Sequence, residues 1–339
     1  MMAKKVRVMK KQKTFTMNLS TTAPFNADFD GDEMNIHAPQ SYEAKAELEG
    51  LTATKHNIIS SQASKPNIGL VQDSLLATYL MTKGIKKMKK SKFFNISMHG
   101  DLNGKHLWSA RKAKTIRKVL KMKGKDPYIY TGHGLLSLLL PEDFNYEKKN
   151  NANQDEPTVK IYNGVVYEGT FDKLIVGKSH NSIIQVLNKE YDIEIVVDFI
   201  SNIQFVTNQW LASNGFSVGL QDCLITTQSS VREIKDAISK CYIEAEGIEE
   251  TTKNPGIREV RVTASLSKAK DIGMKIAKDS MSVDNNFVST VTAGSKGDSF
   301  NIAQLTGLLG QQNLVGKRVS KTLNNGQRTL PHYNFGKLP

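Results

Sequence analysis

Apolar and polar residues alternate along Thr14-Phe15-Thr16-Met17-Asn18-Leu19-Ser20, and again at Met34, Ile36 and Ala38. A period of two predicts half-buried strands at both places. The run between them, Thr21 to Glu33, is too polar for a core and is expected as a displayed loop. Ser41 is placed to cap a helix carrying Ala44, Leu48 and Leu51 on one face, and Leu70–Thr82 reads as a second helix. From Thr158 to about Val197 short β-type runs dominate, with Asn163-Gly164 as a hairpin turn. Beyond Asp198 the period becomes helical. Ser230 with Glu233 forms a capping-box pattern for a helix over 231–245, whose Val231, Ile234, Ile238, Cys241 and Ala245 share a face and which Gly247 is expected to end. Pro255 then opens a second long helix to about Lys278, giving an antiparallel pair, with shorter helices near 286–291 and 302–309. Asn145–Pro157 is a polar insertion, expected as an exposed loop.

The 339 residues, 39% of them hydrophobic, can build a core despite a mean hydropathy of −0.38. The apolar runs are short, as in Leu135–Leu140 broken by Ser137. They fall far below the roughly 20 residues of a membrane helix, and the N-terminus lacks the apolar stretch of a secretory signal. An intracellular protein with no membrane partner is therefore expected. Cys223 and Cys241 are too few and too far apart for a disulfide framework or a metal cluster, and read as reduced core thiols. Lys+Arg number 46 against 33 Asp+Glu, a net charge of +13. That surplus favours polyanionic partners, nucleic acid first, since lysines that neutralise phosphates release counterions. Much of it lies in the lysine-dense stretch 83–126, which reads as a solvated or a phosphate-facing surface, the solvated face being the favoured expectation.

Asp28-Phe29-Asp30-Gly31-Asp32 carries the candidate chemistry. In an extended loop the alternation brings three carboxylates toward one point, with Gly31 permitting a tight bend. Such charges repel unless a cation sits among them, and hard oxygen donors suit Mg²⁺. The arrangement suits phosphoryl transfer by two metals, one held by protein and one arriving with nucleotide phosphates. An EF-hand is excluded: counted from Asp28, position 6 is Glu33 and position 12 is Pro39, where Gly and Glu are needed. A glycosyltransferase D-x-D, an aspartyl-phosphate enzyme and a solvated acidic turn stay open on spacing alone.

Asn26-Ala27-Asp28-Phe29-Asp30-Gly31-Asp32-Glu33-Met34-Asn35 resembles the catalytic signature of the largest subunit of multisubunit DNA-directed RNA polymerases. The resemblance continues in the family's order: Pro66 to Leu75, Thr131-Gly132 through Pro141, Asn202-Ile203-Gln204, Trp210-Leu211, Gly215 to Gly219, Ala293 to Gly297, Ile302 with Gln304, Gly310 to Asn313, Gly316-Lys317-Arg318 and Arg328 to His332. It implies that Asp28, Asp30 and Asp32 hold the catalytic Mg²⁺ and that Asn26 lies beside the ribose of the incoming nucleotide. Glu33 with Met34-Asn35 leans toward the eukaryotic and archaeal branch. It further implies an α+β fold: part of a double-psi β-barrel with the catalytic loop (1–57), a mixed, β-rich pore domain (58–222) and a helical funnel domain (223–339).

Within that resemblance, Lys296 is a substrate-binding candidate, and Gln311, Gln312, Lys317, Arg318 and Arg328 are nucleotide-path or structural candidates. Lys270 stands where the family usually has arginine. His37, His332, Trp108 and Trp210 read as structural. The family's segment upstream of the catalytic loop, its bridge helix and its trigger loop have no counterpart in these residues, so the expectation is an internal slice of the subunit. The lysine-, asparagine- and isoleucine-rich composition suggests a large DNA virus, with a nucleus, or a viral factory, host cytoplasm and virion, as location. The expected function is template-directed nucleotidyl transfer from ribonucleoside triphosphates, active only in an assembly. The implied partners are the second-largest subunit and other subunits, the remainder of the largest subunit, DNA template and RNA. The rival readings are a non-catalytic remnant with a metal loop and basic surface, and a stand-alone D-x-D glycosyltransferase, which leaves the other motifs unexplained.

Overall fold

The computed structural model describes residues 2–100, 106–149, 157–225, 227–282 and 284–332. Helices and a few short strands give an α+β composition. The chain divides into two compact units, Met1–Phe216 with Thr292–Lys296 and Ser217–Val291 with Gly297–Pro339.

The first unit begins with a long irregular segment. Neither 14–20 nor 34–38 forms a strand; Leu19–Thr21 and Ala23–Phe25 are instead single 3-10 turns. An extended segment becomes a strand only when another backbone takes its N–H and C=O groups. None of the described residues does so here, and Phe15 and Ile36 stay 55% and 64% exposed. The segment is anchored near its start, where Ala3 bridges to Ala53. Helix α1 (Tyr42–Glu47) has the expected cap, the Ser41 side chain accepting from the Ala44 N–H, and runs into a π-turn over Leu48–Thr52. Leu51 is exposed rather than part of a buried face.

The core of this unit is built on α2 (Gln72–Thr82), which follows the β1 (Ile59–Ser60) and β2 (Lys65–Pro66) ladder. Helix α2 is buried nearly all round, and its Thr82 hydroxyl receives the Phe171 N–H at 2.9 Å. Helices α3 (Lys90–Met98), α4 (Ala110–Met122) and α5 (Gly132–Leu139) contribute side chains to the same core. Strands β3 (Tyr146–Lys148), β4 (Val159–Tyr162) and β5 (Val165–Glu168) form one antiparallel sheet. Part of the expected 145–157 loop is therefore strand; its residues 150–156 lie outside the described set. The hairpin turn is as read: Asn163 and Gly164 both have positive φ, 48° and 69°, the type I′ signature.

The β-rich reading fails after Glu168. Helices α6 (Lys173–Val176) and α7 (Ile183–Glu190) follow, and α8 (Ile193–Asn214) starts before Asp198. Local chemistry explains this. Asp172 accepts from the N–H groups of Leu174 and Ile175, Ser182 accepts from that of Gln185, and Ile183, Ile184 and Leu187 make one buried face. Trp210 packs in the core, while Phe93 and Phe94 pack edge-on against Trp108.

In the second unit α9 (Gln228–Thr251) and α10 (Pro255–Ser280) pair antiparallel through Cys241, Ala245, Val262, Leu266 and Ala269. Helix α9 starts before Ser230, no capping box forms there, and it runs through Gly247. One helical glycine costs only about 1 kcal/mol, and packing against α10 on both sides of it outweighs that. Asn254 and Pro255 then start α10 as expected. Helices α11 (Asn286–Ala293) and α12 (Ser299–Thr306) and the ladder of β6 (Asn313–Leu314) with β7 (Lys317–Arg318) complete the chain. Both cysteines are free thiols; Cys241 is buried, but Cys223 is only half-buried. No helix among the described residues is long and apolar enough to cross a membrane.

Candidate metal centre

Two consecutive 3-10 turns, the second opened by Pro24 after Ala23, deliver the chain to Asn26. Asn26 adopts the left-handed conformation, and its N–H closes the turn on the Ala23 carbonyl at 3.1 Å. The Ala27 N–H returns to the Thr22 carbonyl, also at 3.1 Å, so the loop leaves a fixed base. Gly31, at φ 117°, reverses it, a conformation that side chains disfavour.

The bend brings one carboxylate oxygen from each of Asp28, Asp30 and Asp32 within 4.8 Å of the others. The backbone helps hold them: the Asp28 N–H donates to Asp32 Oδ2 at 3.0 Å and the Asp30 N–H to Asp28 Oδ1 at 3.3 Å. All three are exposed, and among the described residues no basic side chain pairs with them. The consequence falls on Asp30, whose proton affinity is raised, first by its side-chain hydrogen bond to Asp28 and then by the charges of Asp28 and Asp32. Three mutually repelling oxygen donors with no internal cation fit a hard divalent ion.

Asn26 sits at the base of this loop, and its side chain is exposed. Lys296 is exposed on a turn whose flanking Gly294 and Gly297 have positive φ, with no hydrogen bond or ion pair to the aspartates among the described residues. The remaining candidates lie in the second unit. Gln311, Gln312, Lys317 and Arg318 line a cavity of about 740 Å³ between α9, α10 and the segment after α12. Arg318 is fully engaged: its guanidinium meets Glu259 in a two-pronged contact (Nε 3.1 Å, Nη2 2.9 Å) and Glu249 at 2.9 Å. Arg328 closes its own turn, its N–H on the Leu323 carbonyl and its Nη1 on the Pro331 carbonyl. His37 and His332 are exposed.

Sequence reasoning did not single out Glu249 and Glu259. They lie ten residues apart on different helices, and only the 3.6-residue period of α9 together with the pairing to α10 makes them neighbours.

Models of RNA polymerase Rpb1 match nearly the whole chain in order: domain 2 over residues 1–54, domain 3 over 57–223 and domain 4 over 244–339. The chain is 43% identical to a "Probable DNA-directed RNA polymerase II subunit RPB1 homolog" of Invertebrate iridescent virus 6, over 98% of this chain and 33% of that protein. It is 35% identical to the DNA-directed RNA polymerase II subunits RPB1-A and RPB1-B of Trypanosoma brucei brucei, over 98% of this chain and 19% of each. The chain thus spans a third or less of the relatives it matches. Three successive family models, together with an unbroken ten-residue signature on the loop that gathers the aspartates, place this chain in the family of RNA polymerase largest subunits, Rpb1.

Proposed function

We propose that this chain is the catalytic-centre portion of a DNA-directed RNA polymerase largest subunit, acting in template-directed nucleotidyl transfer as part of a multisubunit assembly. The observation that carries the reading is the convergence of Asp28, Asp30 and Asp32 on a loop fixed at its base and free of internal cations. In this reading the three carboxylates hold Mg²⁺, which when bound supplies positive charge to the reacting phosphate oxygens. The carboxylates orient that charge, Asn26 lies at the sugar of the incoming nucleotide, and Lys296 attracts triphosphates. Gln311, Gln312 and Lys317 line the route toward the site, while the contacts of Arg318 and Arg328 favour a structural role for both.

Residues 1–57 then contribute the catalytic loop to a double-psi β-barrel completed by other chain segments, 58–222 form the pore and 223–339 the funnel. The mostly exposed period-two stretches of the first segment support this, because their backbones have no strand partner among the described residues. The partners are the second-largest subunit, the rest of the largest subunit, DNA and RNA, in a nucleus or a viral factory.

The test is primer extension on a DNA template, with the chain assembled with its complementary subunits and segments. Magnesium-dependent incorporation is expected, and its loss in Asp30→Asn with assembly intact. Undiminished incorporation by the variant would remove the aspartates from the chemistry.

A further inference from the structure

The stretch from 106 to 126 carries eight basic residues and a single acid, Asp126. Helix α4 sorts these charges by face. Ala113, Ile116 and Val119 are buried, and the Lys112 ammonium, its stem largely buried, donates to the Leu138 carbonyl. The helix is therefore fixed on the core. At 100° per residue, Arg111, Lys114, Arg117, Lys118 and Lys121 fall within an arc of about 120°, along roughly 15 Å of helix. All five are exposed. Arg111 pairs with Glu142 at 3.2 Å, but the other four have no carboxylate partner among the described residues. Lys123, past the end of the helix, lies on the opposite side, held over the rings of Tyr162 and Tyr167 at 4.6 and 5.3 Å, and is not part of the stripe.

A merely solvated helix intersperses both signs and pairs them at i, i+4. Helix α4 does the opposite. Its cations sit at mutually repelling three- and four-residue spacings, and its first turn carries Arg111 and Lys112, against the helix dipole. Local rules broken on a rigid, exposed face point to a ligand that neutralises it. No aromatic or large aliphatic side chain of the kind that anchors a protein partner sits within the stripe, exposed Met122 lying at its edge, whereas a line of cations suits regularly spaced phosphates, about 3.4 Å apart along each strand of a duplex.

We propose that the exposed face of α4, with Lys114, Arg117, Lys118 and Lys121, is a binding surface for the phosphodiester backbone of nucleic acid. It reads no sequence, since backbone contacts carry none. The surface is separate from the aspartate loop and does not rest on the catalytic reading.

The experiment measures binding of the full 339-residue chain to fluorescent single-stranded and duplex oligonucleotides across a salt series. In the fourfold variant K114Q/R117Q/K118Q/K121Q, affinity should be at least about tenfold weaker at low salt, and the slope of log K against log salt should flatten by about 3, at 0.7 to 0.9 per lost contact. The larger flattening marks duplex as the preferred form, the smaller single strand. A control variant neutralising Lys235, Lys240, Lys253 and Lys278, with the same charge change, should keep the slope, and circular dichroism should show both variants folded. An unchanged slope in the α4 variant, or equal losses in the control, overturns the proposal. So does an α4 variant that loses polyglutamate binding while keeping nucleic acid, which assigns the face to an acidic protein.

Discussion

At the aspartate loop a proton and a divalent cation compete for the same oxygens, because Asp28 and Asp32 raise the proton affinity of Asp30. Mn²⁺ binding, followed by electron paramagnetic resonance, is therefore expected to weaken as pH falls through the carboxylate range near 4 and to be lost in Asp30→Asn. Binding that is flat with pH and survives the substitution would put the metal elsewhere. His133 gives a second, independent pH effect. Burial lowers its proton affinity from the ordinary 6.5, while Nε2 sits 2.9 Å from the Gly169 carbonyl. With the folded-state value depressed, the unfolded chain takes up the proton first. Stability is then complete above pH 6.5 and declines as pH drops below it. Urea melts should show that decline and its attenuation in His133→Gln; identical pH profiles would rule out His133 as the source. The carboxylate cluster was legible in the sequence because its spacing is local, but the environment of His133 was not, since the Gly169 that faces it comes from 36 residues away.

Among the elements, the hairpin of β4 and β5 and the clamp on β7 test how a turn stabilises the first unit and how ion pairs stabilise the second. A Cβ on Gly164 would lie 2.1 Å from the Pro141 carbonyl oxygen, at a φ of 69°. Gly164→Ala should destabilise the first unit by about 2 kcal/mol or more, from backbone strain and the clash together. A melt within 0.5 kcal/mol of the unaltered chain would contradict that, given the roughly 1–3 kcal/mol of such strain. In the second unit Arg318, with its side chain 25% exposed, joins β7 to both long helices through Glu249 and Glu259. Arg318→Met should lower stability by roughly 1.5–3 kcal/mol, the range for hydrogen bonds to charged groups. Lysine should recover little, because a point charge cannot span two carboxylates in the planar fork. A double-mutant cycle with Glu259→Gln that shows no coupling would reduce the clamp to a surface contact. The helices α2, α10 and α11 were readable in the sequence, whereas α12 starts and ends three residues earlier than the expected 302–309, because Asp298 caps it. The β-rich reading failed over 173–190 because short apolar runs carry no unambiguous period, and the Asp172 and Ser182 caps decided the outcome.

For the whole molecule, the first 57 residues carry Val8, Phe29, Tyr42 and Leu51 at 69% exposure or more. On assembly with the other parts of the polymerase, hydrogen exchange over 14–20 and 34–38 should slow markedly as those backbones find strand partners. Exchange that stays fast in an active assembly would show that these segments remain unpaired. The isolated chain is expected to incorporate no nucleotide and to bind metal weakly, because its loop is fixed only at the base.

The sequence alone determined the family, the aspartate loop, the I′ turn at Asn163-Gly164 and the pairing of the two long helices. Each is written in neighbouring residues or in a period that one element repeats. Only tertiary structure decided that the period-two runs at 14–20 and 34–38 stay without strand partners, that α9 passes through Gly247, and that Arg318 is held by two glutamates. It also separated the lysines of 83–126 into paired, buried and unpaired sets. These outcomes depend on which distant groups come within reach of one another. Propensity and spacing describe a segment by itself, whereas pairing, burial and neutralisation are properties of the neighbours that folding supplies.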